Sequence, residues 1–190
     1  MIVITASFLI DNESQIIHQL FEEGLVLLHV RKPTYSENEK REFVKTIGLE
    51  YLDKMVFHNF SLENFIGPNY HISDWKNVDS NLFQQKNIST ATHSIEEFNQ
   101  LSEEWKYAFL SPVFESISKD GYGKNSSILE TLVNRTNFNT ELVALGGLDE
   151  NNIKTALDSG FDSVALLGSI WLYDNPIQKF KKCQKFVHSY

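Results

Sequence analysis

Four of the six histidines sit at the ends of short apolar runs: His29 in "LVLLHV", His58 in "KMVFHN", His71 in "NYHIS" and His93 in "NISTATHS". An imidazole can carry a proton near neutral pH, hold a hydrogen-bonded ligand or bind a metal. Neighbouring histidines open the metal reading, and a histidine-based metal hydrolase is one chemistry it allows. No acidic residue completes a ligand set, however. Asp74 is the one nearby candidate, so no metal residue is assigned. Arg31 and Lys32 follow the first histidine in "LLHVRKP". Successive strand side chains point to opposite faces. Leu27, His29 and Arg31 therefore share one face, and Leu28 and Val30 the other.

A second group of residues is suited to an anion. "SPVFESISKDGYGK" passes from an apolar strand to Ser116, Ser118 and Lys119, then to Gly121 and Gly123. Hydroxyls, an ammonium and glycines fit a mobile loop that closes over a negative group. "VALGGLDENN" brings Gly146 and Gly147, where backbone can approach a ligand closely, ahead of a helix opening near Asp149. "ALLGSIW" brings Gly168 and Ser169. On this reading Arg31 holds one anionic group, and Gly146, Gly147, Gly168 and Ser169 hold a phosphate across from it.

These residues must be positioned by elements that repeat. Eight apolar runs recur: "IVITAS", "LVLLHV", "KMVFHN", "NYHIS", "NISTATHS", "YAFLSPVF", "ELVALGG" and "SVALLGS". Most are separated by helix-like stretches. Ser36 with Glu39, Ser94 with Glu97 and Ser127 with Glu130 have capping-box spacing. Asp149 is a candidate N-cap, with Gly160 at the far end of its helix, and Asn175 precedes Pro176 at the start of the last helix. Strands alternating with helices predict an α/β fold, a compact (β/α)8 TIM barrel with parallel strands and helices outside. Residues 61–86 carry the poorest helix signals. An open doubly wound sheet with fewer strands is the alternative. In a barrel the strand ends, and so the histidines, converge on one mouth.

Composition bounds the rest. The chain of 190 residues is 42% hydrophobic and 22% charged, which predicts one globular domain over residues 1–190. A net charge of −8 argues against nucleic acid or an anionic membrane as partner, while a small anionic ligand depends on local charge. The single Cys183 excludes an internal disulfide and fits a reducing cytoplasm. "MIVITASFLIDN" has no basic leader and turns polar within ten residues, unlike a signal peptide or membrane span. Trp171, Leu172 and Tyr173 in "SIWLY" offer a surface for a homodimer.

In order along nearly the whole chain, these segments resemble the thiamine phosphate synthase/TenI family. "HVRKP" resembles its Q-x-R-E-K segment, "VFHN" its I-N-D, "YHIS" its V-H-L-G and "TATHS" its G-V-S-x-H-S. "SPVFESISK" resembles G-P-V-F-x-T-x-T-K and "VALGGL" resembles A-I-G-G-I; these two are the most specific. The resemblance implies a cytoplasmic enzyme of thiamine biosynthesis acting on small phosphorylated substrates. The synthases join a pyrimidine diphosphate to a thiazole phosphate, with Mg2+. The related thiazole tautomerases shift a double bond in the thiazole carboxylate phosphate and use no metal. By position, Gly146, Gly147, Gly168 and Ser169 would bind the thiazole phosphate. Arg31, Ser116, Ser118 and Lys119 would contact the diphosphate or a carboxylate, and His93 matches the tautomerase acid/base. His29, Lys32, His58, Asn59 and His71 complete the expected lining. The two magnesium aspartates of the synthases fall at Asn59 and near Lys76, with Asp74 reachable by a local shift. Synthase, tautomerase and non-catalytic phosphate binder are thus all open, with Mg2+ expected for the first alone.

Overall fold

The computed structural model describes residues 1–59, 67–79, 81–85, 87–118 and 121–187. Its eight strands are β1 (Ile2–Ile4), β2 (Leu27–Val30), β3 (Met55–His58), β4 (Asn69–Ile72), β5 (Asn87–Thr92), β6 (Tyr107–Leu110), β7 (Glu141–Leu145) and β8 (Ser163–Leu166). All pair in parallel with their sequence neighbours, and β1 pairs with β8. That last pairing closes the barrel and excludes the open sheet. Each of the eight apolar runs supplies one strand.

Burial explains why these runs became strands of a closed barrel. Leu28, Val30, Met55, Phe57, Ile88, Ala108, Leu142 and Val164 point outward into a core shared with the helices. Their alternates Ile2, Ile4, Tyr107, Phe109, Val143 and Ala165 fill the interior. Both faces are buried, which parallel sheets require. The interior is divided. On β6, β7, β8 and β1 it is mainly apolar, whereas β2 to β5 contribute His29, His58, His71 and Ser89, all buried.

A barrel fits into this length because its helices are short. The outer elements are α1 (Glu13–Glu22), α2 (Glu37–Ile47), α3 (Asn81–Gln85), α4 (Ile95–Asn99), α5 (Ile128–Thr131), α6 (Ile153–Asp158), α7 (Gly168–Trp171) and α8 (Pro176–Val187). Ser36 and Glu39 form a full capping box at α2. At α4, Ser94 Oγ accepts from the Glu97 N–H, but the Glu97 carboxylate accepts the N–H of His93 instead of that of Ser94. At α5 the expected Ser127 cap is absent: Ser126 Oγ accepts from the Ile128 N–H while donating to the Pro112 carbonyl. α6 opens after Asn152, three residues beyond the expected Asp149, because the Asp149 carboxylate is used in a turn that accepts the Asn151 N–H. Among the described residues no helix is long and apolar enough to cross a membrane. Trp171 is not part of a surface patch. It is buried, and its indole N–H donates to the Ile4 carbonyl at 2.6 Å, while Leu172 and Tyr173 are exposed. Cys183 is fully buried, and burial pushes its thiol up to about 12, leaving it unreactive.

Candidate active site

A cavity of about 330 Å³ opens at the C-terminal mouth of the barrel. Its walls come from the ends of all eight strands. Arg31 follows β2, Ser73 follows β4, His93 follows β5, and Ser111, Ser116 and Ser118 follow β6. Gly146 and Gly147 follow β7, and Gly168 follows β8. His58 and His71 form part of its floor.

The alternation of β2 brings Arg31 to the mouth. Its backbone is clamped to Thr5, whose hydroxyl accepts the Arg31 N–H at 2.9 Å and donates to the Arg31 carbonyl at 3.1 Å. Lys32, one residue on, is thrown to the other side. It is 2% exposed, donates to Glu13 at 2.5 Å and to the Ala6 carbonyl at 2.8 Å, and lines no part of the pocket. Burial raises the Glu13 carboxyl, against the pull of Lys32. Lys32 is therefore a structural cation.

The loop after β6 is folded against the loop after β7. The Val113 N–H donates to the Leu145 carbonyl, and the Phe114 N–H to the Gly146 carbonyl. Gly147 has φ +67°, and a Cβ there would stand 2.3 Å from the Glu115 carbonyl oxygen. The pair Gly146–Gly147 thus lets the two loops meet at the pocket rim. A Cβ on Gly168 would lie 3.2 Å from Ile117 Cβ, so the same loop reaches β8. Ser116 and Ser118 are exposed to the cavity, and the Ser118 N–H donates to Ser116 Oγ. Ser169, beside Gly168, is not in the lining. It is buried, and its Oγ has no hydrogen-bond partner among the described residues. Lys119 lies outside the described residues.

His93 is set by one contact. Its Nδ1 lies 3.1 Å from the Ser111 carbonyl, an acceptor only, so Nδ1 carries the proton. That leaves Nε2 as a base.

The floor carries buried hydrogen bonds, and the direction of one branch can be read from its end. Ser89 Oγ donates to the Tyr70 carbonyl at 3.3 Å. It therefore accepts from His71 Nδ1 at 3.1 Å. His29 Nε2 and the Tyr107 hydroxyl share a hydrogen bond at 2.5 Å. His29 Nδ1 and His58 Nε2 share another at 2.7 Å. With Nδ1 protonated, neutral His71 keeps a lone pair on Nε2. The rings of His58 and His71 stack with centroids 4.1 Å apart. All three imidazoles are held neutral. Burial lowers His29 and His58 well below 6.5, with further lowering from neighbouring histidines and, for His58, from Arg31. His71 falls to about 3 through burial and then Arg31. His29 lies beneath the cavity, against its lining residues His58, His71 and Phe109.

Besides His29, Lys32 and Ser169, the expected lining residue Asn59 and the metal candidate Asp74 lie outside the lining. Asn59 is exposed with φ +53°, and its carbonyl accepts from Lys40 at 2.8 Å. Asp74 is exposed, and its carboxylate accepts from Asn77 at 2.8 Å. Tyr107, Ser89, Ser73, Ser111 and Tyr122 were not singled out from sequence. Tyr107 had a signal: it is two residues before Phe109, on the same face of an apolar run.

The family described as thiamine monophosphate synthase matches residues 73–170, from the residue after β4 into α7. The chain belongs to the thiamine monophosphate synthase family. A thiamine-phosphate synthase from Caldicellulosiruptor saccharolyticus is 26% identical over 189 residues, spanning 93% of this chain and 84% of that one. A thiamine phosphate pyrophosphorylase from Bacteroides thetaiotaomicron superposes with TM-score 0.78 at 27% identity, covering 99% of this chain and 97% of the other. The Pyrococcus furiosus thiamine phosphate pyrophosphorylase has the same TM-score at 18% identity and shows the shared fold. Within this thiamine monophosphate synthase fold, the mouth differs from what Mg2+ wants. Mg2+ takes oxygen ligands, usually carboxylates with phosphates. The described lining has no carboxylate, and neither Asn59 nor Asp74 is part of it. The described residues do not fit Mg2+.

Proposed function

We propose that the mouth cavity binds a thiazole phosphate and that the protein joins it to a pyrimidine diphosphate, forming thiamine phosphate. The observation that carries this reading is the arrangement of one pocket, with Arg31 on one strand end and Gly146, Gly147, Gly168, Ser116 and Ser118 on the others. The names of the relatives support the same reaction. The bond between the pyrimidine methylene and the diphosphate oxygen breaks, leaving a carbocation. The thiazole nitrogen captures it, and pyrophosphate departs. Arg31 stabilises the charge that grows on the leaving diphosphate. Lys119 is assigned the same role by its position in the sequence segment "SPVFESISK". Gly146, Gly147 and Gly168 are assigned to the thiazole phosphate, with buried Ser169 behind them, and His58 and His71 to the floor beneath the ring. The compartment we propose is the cytoplasm.

A second reading is favoured by two specific observations. The described lining lacks carboxylates, and His93 presents Nε2 as a base. Thiazole tautomerisation needs one proton moved and no diphosphate ionised. His93 Nε2 would take the proton from one ring position and return it to another.

The test mixes purified protein with pyrimidine diphosphate and thiazole phosphate, with and without Mg2+, and follows product by chromatography. Thiamine phosphate formation supports the coupling reading. No product, with thiazole phosphate still bound, assigns the pocket to tautomerase chemistry or to binding alone.

A further inference from the structure

We propose that His29, His58 and His71 form a three-imidazole site for a divalent transition ion of the zinc or cobalt class, in the barrel interior under the mouth cavity. It does not depend on which reaction the mouth performs.

One ligand nitrogen from each residue lies within 4.8 Å of the other two. All three side chains are buried, on the adjacent strands β2, β3 and β4. His58 and His71 are direct register partners, so the backbone itself brings them together. Imidazole suits zinc, cobalt and nickel, whereas Mg2+ prefers oxygen. The three imidazoles therefore suit a transition ion and not Mg2+.

The surrounding bonds are those that metal-binding histidines use. A ligating imidazole ordinarily donates its other N–H to a fixed acceptor, which holds its tautomer and angle. His29 Nε2 is bonded to Tyr107, and His71 Nδ1 donates to Ser89, which in turn donates to the Tyr70 carbonyl. His71 Nε2 is therefore presented as a lone pair. His29 Nδ1 and His58 Nε2 share one proton, which leaves the gap between them when both ligate. Burial keeps the rings neutral, the state a metal requires.

Geometry sets two requirements: the widest nitrogen pair, within 4.8 Å, must close, and the tightest must part. Tetrahedral ligation with Zn–N of about 2.0–2.1 Å separates ligand nitrogens by roughly 3.3 Å. His58 Nε2 and His29 Nδ1 are 2.7 Å apart, so His58 must withdraw by about half an ångström. It can do so, since it lies on the cavity floor. The fourth position then faces the cavity, an open site of the catalytic type. Arg31 opposes a bare dication there, and its charge favours an anion in the fourth position.

The experiment treats tag-free protein with chelator, removes the chelator and titrates with Co2+. Visible d–d absorption reads coordination geometry, and elemental analysis after Zn2+ loading and desalting reads stoichiometry. The expected result is one equivalent of metal with a four-coordinate Co2+ spectrum, no competition by millimolar Mg2+, and at least tenfold weaker binding in both His58→Gln and His71→Gln. His18→Gln, on the helical exterior, should leave uptake unchanged. Circular dichroism checks that each variant is folded, and His58→Gln, on the cavity floor, stands in if His71→Gln does not fold. The proposal is overturned if wild-type protein takes up no stoichiometric metal, if folded His58→Gln binds as tightly as wild type, or if uptake is lost with His18.

Discussion

At the scale of single residues, the site depends on where protons and charges are fixed. His93 owes its proposed role to one carbonyl. With Nδ1 tied to Ser111, Nε2 is the base, and His93→Ala should cost about a hundredfold or more if the reaction is a proton transfer. Steady-state rates on a thiazole substrate check this, and a variant with full activity would leave coupling or binding. Lys32 makes the opposite point. Because it neutralises buried Glu13, Lys32→Met should lower stability by about 3–5 kcal/mol, measured by urea unfolding, while leaving the pocket lining intact. The sequence showed Arg31 and Lys32 as adjacent cations but could not separate their jobs until the strand's alternation was anchored in a barrel. Tyr107 was missed for a related reason. An apolar run with a tyrosine reads as core, and its partners His29 and Ser89 come from strands far away in sequence.

At the scale of elements, the loops after β6, β7 and β8 act as a unit. Gly147 is needed because loop meets loop, and its Cβ would strike the Glu115 carbonyl. Gly147→Ala should therefore push the β6 loop off the rim and weaken thiazole phosphate binding by about tenfold to a hundredfold. Gly160→Ala has the same positive-φ strain but open space, so it should reduce stability by about 1–2 kcal/mol without touching affinity. Calorimetric titration and thermal melts separate the two. The strands were legible because each is an apolar run bounded by polar residues. The caps were legible only where the side chain had no better partner. Ser36 capped as its spacing predicts, whereas Ser126 took over from Ser127 because its hydroxyl also reaches Pro112. Asp149 closed a turn before α6 could start. Such local competition depends on backbone that a linear pattern does not contain.

At the scale of the whole molecule, the barrel encloses three neutral imidazoles, and that has a consequence for acid stability. Their folded pKa values lie below the ordinary 6.5, His71 at about 3. Above 6.5 neither folded nor unfolded chain is protonated at these sites, and they contribute nothing to the pH dependence. Below 6.5 the unfolded chain takes protons that the folded barrel refuses, so stability falls with falling pH down to the folded pKa. Each histidine adds a slope of up to about 1.4 kcal/mol per pH unit. Metal-free protein should lose melting temperature steeply below pH 6.5, and folded His71→Gln should show a shallower fall. The barrel and its mouth were predictable from eight spaced runs and their glycine-bearing ends; which histidines lie inside one another's reach followed only from closure. The central claim is that this mouth is a thiazole phosphate site. Its most direct test is calorimetric titration of wild-type protein and Gly168→Asp with thiazole phosphate. Gly168 has an ordinary φ, so this change adds a carboxylate at the rim without a left-handed strain. The account predicts one-to-one binding by the wild type that is lost in the variant; equal binding by both, or none by the wild type, would contradict it.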